Sequence, residues 1–361
     1  MWYRGGGFQY LPEAQDCYAW AINEWLARKL IVGLYIDDVW IVPSTDPSVG
    51  LAYQFPDGRV QPGFDFFRYH ALLKRLRWLF HDNGVEPLIW LHMTNTFYMP
   101  CLSFADILLD GESAFPNWGE ERDFLRTWPM DRLRYNNPEK WGIATNWMFK
   151  IGLGDGPAPN AGLRHFGYQQ MRALYAGLMV HDVAVQYRRI ASLDASGVFD
   201  DAARFVGYWS PEAAVATTTP AVYASAYCLD AATPPRAVLV IVNRSGQPTV
   251  ANLTVNTARL GFKKLPWSRL EVKDIDLWLP PPGEDLRKLV KPNPLLDRNI
   301  LFDATTDLID RLRVDIDQIA AANGKFIFDE SNHERTPEGF RVRVRPWDYR
   351  LIELRPAGPS P

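Results

Sequence analysis

The chain has only three cysteines in 361 residues, Cys17, Cys101 and Cys228. They are too few and too far apart for a disulfide framework or a thiolate metal site. No run approaches the roughly 20 consecutive apolar residues that cross a bilayer, so no membrane partner is expected. An excess of one charge is missing too. The formal net charge is −3, which gives no electrostatic footprint for nucleic acid or an anionic lipid surface.

Several catalytic signatures are also absent. There is no His-x-His, His-Glu-x-x-His or paired-cysteine spacing, so no metal is expected. No Gly-x-Ser-x-Gly elbow supports a serine nucleophile. No Gly-x-Gly-x-x-Gly fingerprint or phosphate loop calls for a nucleotide, and Gly5-Gly6-Gly7 follows no strand. The expectation is therefore chemistry without a cofactor. The opening residues lack a basic segment followed by an apolar one, so no leader is visible.

What the chain has in plenty is aromatic surface: 14 Trp, 15 Tyr and 19 Phe. Sugar rings present C–H faces that pack on aromatic faces, so this composition suits a carbohydrate site as well as an aromatic core. Acidic residues stand at the ends of apolar runs. Ile31–Ile36 runs into Asp37-Asp38, and Phe104–Leu109 runs into Asp110-Gly111-Glu112. Carboxylates at the end of a buried strand are costly to place without a use for the charge. In parallel α/β folds that end of the strand is where active sites lie.

The first part of the chain alternates helices and strands. Apolar spacing predicts a helix from Pro12 to Lys29. A second starts at an Asp65 cap and stops at Asn83-Gly84. Strands are expected at Ile31–Ile36, Pro87–His92, Ala105–Leu109, Trp141–Met148 and Met179–Tyr187, with a helix at Tyr168–Leu178. This alternation indicates a parallel sheet, open or closed. Beyond Arg204 the texture becomes short strands separated by Pro and Gly turns, as in an antiparallel β-sandwich. A helix is expected over 306–323 and a strand at Lys325–Phe328.

The expected organisation is a TIM-barrel-like (β/α) catalytic domain over residues 1–205 and a C-terminal β-sandwich over 206–361. About five strand–helix units fit in 1–205, whereas a (β/α)₈ barrel takes eight units and about 250 residues. Either the first domain is a small open α/β sheet, or the chain holds the last strands of a barrel that begins upstream. In the second case secretion or a periplasmic location stays open.

The acidic ends point to glycoside hydrolysis, which needs two carboxyl groups flanking the scissile bond. Successive strand residues face opposite ways, so one of Asp37 and Asp38 faces the site. Asp38 is favoured as the ionised partner and Glu112 as the proton donor, with Asp37 and Asp110 as alternatives. Turn and capping roles fit all four as well. Tyr35, Trp40, His92, Asn95, Asn146, Trp147, His181 and Asp182 are the expected sugar contacts, His92 also fitting a buried histidine bonded to a carbonyl. The other class of reading is a non-catalytic carbohydrate-binding or structural protein. The oligomeric state is not legible in the sequence.

Four stretches resemble the glycoside hydrolase 123-like proteins: Leu34–Asp38, the amphipathic Arg68–Leu79 helix, Asp110–Ser113 and, most specifically, Val206-Gly207-Tyr208-Trp209-Ser210-Pro211-Glu212. The resemblance covers residues 30–260. It implies a barrel catalytic domain, a C-terminal β domain and, in full-length members, an N-terminal β domain. Members are similar to hexosaminidases that use an adjacent Asp-Glu pair and the substrate's acetamido group. Asp37-Asp38 departs from that pair, so neither that mechanism nor N-acetylgalactosamine carries over.

Overall fold

The computed structural model describes residues 12–37, 39, 43–92, 98–111, 124–136, 142–147, 168–185, 196–263, 265–275 and 333–358. Asp38, Trp40, Asn95 and Glu112 lie outside the described residues, as do the expected helix at 306–323 and the expected strand Lys325–Phe328. The chain forms two compact units. One comprises Met1–Phe115 with Pro138–Phe149, and the other Pro116–Asn137 with Lys150–Pro361.

The first unit is α/β. Helix α1 (Pro12–Ala27) precedes strand β1 (Gly33–Ile36), and a small hairpin, β2 (Tyr53–Gln54) and β3 (Val60–Gln61), leads to α2 (Phe66–Asp82). Asp65 caps α2 as its sequence predicts. The carboxylate accepts from the Arg68 backbone N–H at 3.0 Å. Gly84, at φ +70°, ends the helix in a conformation that costs glycine little. Strand β4 (Leu88–His92), the short helix α3 (Met99–Leu102), β5 (Ile107–Asp110) and β6 (Ala144–Trp147) follow.

These strands pair in parallel in the order β1-β4-β5-β6. Asp106 ties the start of two of them, accepting from the Ile89 N–H at 2.8 Å and pairing with Arg77 at 3.0 Å. Ile22, Leu26, Leu72, Leu76 and Phe80 of the two long helices pack with Leu34 and Ile36. The helices thus cover the sheet face on which Leu34 and Ile36 lie. Tyr35, Trp90, His92 and Asn146 belong to the opposite face, by strand alternation and the register Tyr35–Trp90 and His92–Leu109–Asn146.

The second unit begins with α4 (Phe124–Thr127), α5 (Met130–Tyr135), α6 (Tyr168–Met179) and a two-residue strand, β7 (Ala184–Val185). Nine strands follow: β8 (Arg204–Val206), β9 (Val215–Thr217), β10 (Val222–Leu229), β11 (Arg236–Asn243), β12 (Thr249–Val255), β13 (Leu270–Asp274), β14 (His333–Thr336), β15 (Gly339–Val344) and β16 (Asp348–Pro356). They form two antiparallel sheets, β13-β16-β11-β10-β8 and β14-β15-β12-β9. Side chains of both sheets, among them Leu239, Ile241, Leu253, Phe340 and Ile352, share one hydrophobic core.

Helix α6 lies against β11 and β16. Its fully buried Arg172 donates to Asp348 at 2.7 Å and to the Tyr349 carbonyl at 2.9 Å. The guanidinium sits 3.9 Å from the Tyr349 ring, and Arg345 also pairs with Asp348. The apolar run after α6 reads as a strand from Met179. In the structure the helix continues to Met179, the chain turns through Asp182 at φ +56°, and among the described residues of that run Ala184–Val185 is extended. A short buried run looks the same in either state, so periodicity does not separate them.

Candidate functional site

The C-terminal ends of the four parallel strands carry the polar residues of the first unit. Tyr35 and Asp37 come from β1 and its exit, His92 ends β4, Asp110 ends β5, and Asn146 and Trp147 end β6. The Val39 N–H donates to the His92 carbonyl at 3.0 Å, which holds the chain leaving β1 beside the end of β4.

Three of these side chains meet. His92 Nδ1 is 2.7 Å from Asp37 Oδ1 and 2.8 Å from the Tyr35 hydroxyl, and that hydroxyl is 3.3 Å from the same carboxylate oxygen. Their exposures differ sharply. The His92 side chain is 3% exposed and that of Asp37 43%, while Tyr35 is 50% exposed. The imidazole therefore stands behind the surface, and the carboxylate and phenol present it.

Trp90 joins the group, its ring edge-on to Tyr35 with centroids 5.8 Å apart. Composition and motif do not single it out. The available signal was its position two residues before His92 in one strand, which puts both on one face. Asn146 lies on that face two strands from His92, about 10 Å away at the usual strand spacing. Trp90 Nε1 and Asn146 Oδ1 are enclosed and meet no hydrogen-bond partner among the described residues. Buried polar atoms without protein partners are few in native folds and call for a reason.

Asp110 and Trp147 lie on the other face. They are opposite each other in the β5–β6 register, one step past the Leu109–Asn146 pair, and both are buried, at 2% and 0% exposure. Gly111 then turns the chain at φ +100°, and a Cβ there would come within 2.5 Å of the Trp147 indole. Glycine is required on both counts.

His181 and Asp182 belong to the second unit. His181 Nδ1 donates to the Gly177 carbonyl at 2.6 Å, its Nε2 accepts from the Tyr208 hydroxyl at 3.1 Å, and its ring stacks on Trp209. Burial pushes His181 down to about 4, with Arg134 acting in the same direction against the Gly177 carbonyl and Asp131. Burial likewise raises Tyr208 above the ordinary phenol range. Tyr208 and Trp209 come from the Val206–Glu212 stretch, so that stretch packs on the end of α6. Among the described residues no cluster of His, Cys, Asp or Glu is arranged to hold a metal ion, and no helix is long and apolar enough to cross a membrane.

No family model matches the chain, and no curated protein matches it. Solved structures similar to it include glycoside hydrolases. A GH27 β-L-arabinopyranosidase from Geobacillus stearothermophilus, in complex with arabinose, aligns at TM-score 0.46 and 10% identity over 96% of this chain. An Anoxybacillus α-amylase aligns at 0.44 and 8% over 98%. A family 51 α-L-arabinofuranosidase from Bifidobacterium longum aligns at 0.36 and 10% over 80%. The chain spans 63%, 65% and 63% of those chains respectively. Similarity at this level sets neither reaction nor substrate.

Proposed function

We propose that the chain is a carbohydrate-active hydrolase whose site lies at the C-terminal ends of β1, β4, β5 and β6. The observation that carries this is the Tyr35–Asp37–His92 group, a half-exposed carboxylate held between an imidazole and an aromatic hydroxyl on the face opposite the helices. Asp37 and Glu112 form the reacting pair in this reading, with Asp38 as the alternative to Asp37; Asp110, buried on the helix-covered face, is not one. The exits of β1 and β5 are two strands apart, about 10 Å between backbones. That spacing is compatible with the separations of about 5–9.5 Å that retaining and inverting glycosidases use. Tyr35, Trp90 and Asn146 supply ring faces and hydrogen bonds to sugar. The wider frame is a barrel wall joined to a β-sandwich, akin to the glycoside hydrolase 123-like proteins.

The test is a screen of aryl glycosides and polysaccharides with the unmodified chain, followed by Asp37→Asn and Glu112→Gln. Loss of about 10²-fold or more in kcat is expected from each. Turnover that survives both substitutions rejects the pair.

One observation favours a second reading. Asp110 is buried on the helix-covered face, so among the described residues Asp37 is the exposed carboxylate at these strand ends. A glycan-binding protein without turnover fits that arrangement. Glycan binding measured by calorimetry, with no product formed on prolonged incubation, would decide for it.

A further inference from the structure

We infer that His92 is a positioning residue: it donates from Nδ1 to Asp37 and, with Tyr35, fixes the orientation in which that carboxylate meets a sugar. The inference rests on the proposed site and goes beyond it by separating the residue that touches ligand from the one that aims it.

Of the two neutral tautomers of His92, the geometry fits one. An imidazole nitrogen has either one hydrogen or one lone pair, and Nδ1 has two oxygen neighbours at 2.7 and 2.8 Å. An ionised carboxylate can only accept. If Nδ1 carried the lone pair, that lone pair would face the Asp37 oxygen 2.7 Å away with no hydrogen between them. With the hydrogen on Nδ1, the imidazole donates to Asp37 and the Tyr35 hydroxyl donates to the same Oδ1 at 3.3 Å. The Tyr35 oxygen, 2.8 Å from Nδ1, then shares the same hydrogen as a second acceptor, and the tautomer follows from the neighbours, as it does in other carboxylate–histidine pairs.

Burial assigns the roles. His92, 3% exposed, is enclosed at the end of β4, whereas Asp37 is 43% exposed. An exposed aspartate rotates about two torsions. A carboxylate tied to a buried imidazole and to a neighbouring phenol has less of that freedom, and what it has already given up is not lost again when ligand binds. The effect of His92 on a reaction is thus expected in the chemical step more than in ground-state binding.

The test has two arms. In the first, histidine is labelled with ¹⁵N and the His92 ring is observed by NMR in the full chain. The expected result is a protonated Nδ1 whose proton resonance shifts in Asp37→Asn. An Nε2–H tautomer, or no response to Asp37→Asn, overturns the inference whether or not the chain has activity.

The second arm compares His92→Phe with His92→Asn, whose side-chain N–H occupies the place of Nδ1. Thermal melts report whether each variant folds. On a hydrolysed glycoside, His92→Phe is expected to lower kcat about 10–100-fold with KM within about twofold. His92→Asn is expected to recover most of that loss. Should no glycoside be hydrolysed, the proposed reaction fails, and the NMR arm alone decides the inference. Equal kcat of the two variants on a hydrolysed glycoside overturns the positioning role.

Discussion

The two units place their polar groups in opposite ways. In the antiparallel unit, Arg172, Arg345 and Asp348 are fully or nearly fully enclosed and bonded to one another, and His181 has both ring nitrogens engaged. In the parallel unit, the Asp37 carboxylate and the Tyr35 ring are about half exposed, with only the imidazole buried behind them. Exposed large apolar side chains follow the same division. Among the described residues they lie almost all in the first unit, including Trp20, Trp25, Phe67 and Trp78, with Val250 the exception. A network whose buried charges are bonded to one another helps fix a fold. A network with one polar arm at the surface leaves that arm for a ligand.

The largest expected effect breaks the comparison at its most enclosed point. Asp348→Ala leaves two buried guanidinium groups without their shared carboxylate, and a loss of about 3–5 kcal/mol is expected. Hydrogen exchange resolved by segment should show protection falling in α6, β11 and β16 and holding in β1, β4 and β5. A uniform fall across both units would erase the distinction.

Acid sharpens it. His181 has its folded pKa lowered to about 4, below the unfolded value near 6.5. Above pH 6.5 neither state binds the proton. Below it the unfolded state is protonated first, so stability falls as pH drops from about 6.5 toward 4. Between pH 7 and pH 5 the loss is about 2 kcal/mol. Denaturant melts at the two values measure it, and His181→Gln should flatten the difference.

The smallest effect tests the ordinary construction of the first unit. Asp65→Ala removes the α2 cap and should cost about 1 kcal/mol, with glycan affinity or turnover unchanged. A change in the Tyr35–Asp37–His92 chemistry in that variant would mean that the helix cap and the site are not independent.

Much of the frame was legible in sequence. The amphipathic α1 and α2, the Asp65 cap and the Asn83-Gly84 stop carry strong local signals and stand where the pattern puts them. Strands β8, β9 and β14 escaped because three or four residues are too few to show a period. At the site, alternation shows that one of Asp37 and Asp38 faces the site, and Asp38 is the one the sequence favours. The contact of Asp37 with Tyr35 and His92 depends on how two distant strands pair, which no local pattern encodes. Alternation could have marked Asp110 as facing the same way as Leu108, but only once the β5 register was known. The packing of α6 against β11 and β16 was hidden for the same reason. Its sequence continues the helix–strand rhythm, while its buried arginine belongs to a strand far along the chain.

That arginine sets an order of events. Arg172 and Asp348 are 176 residues apart, and β11 pairs with β16 across a shorter but still long separation, from Asn243–Asp348 to Ala237–Leu354. During synthesis α6 emerges long before its counter-charge, so its guanidinium must stay hydrated until β16 arrives to cover it. Closing loops of that length costs chain entropy before any contact compensates, which places such topologies among the slower folders. For the antiparallel unit, docking of the last strand and neutralisation of the helix are therefore one step, and a ribosome-bound chain lacking β16 should still expose α6 to protease.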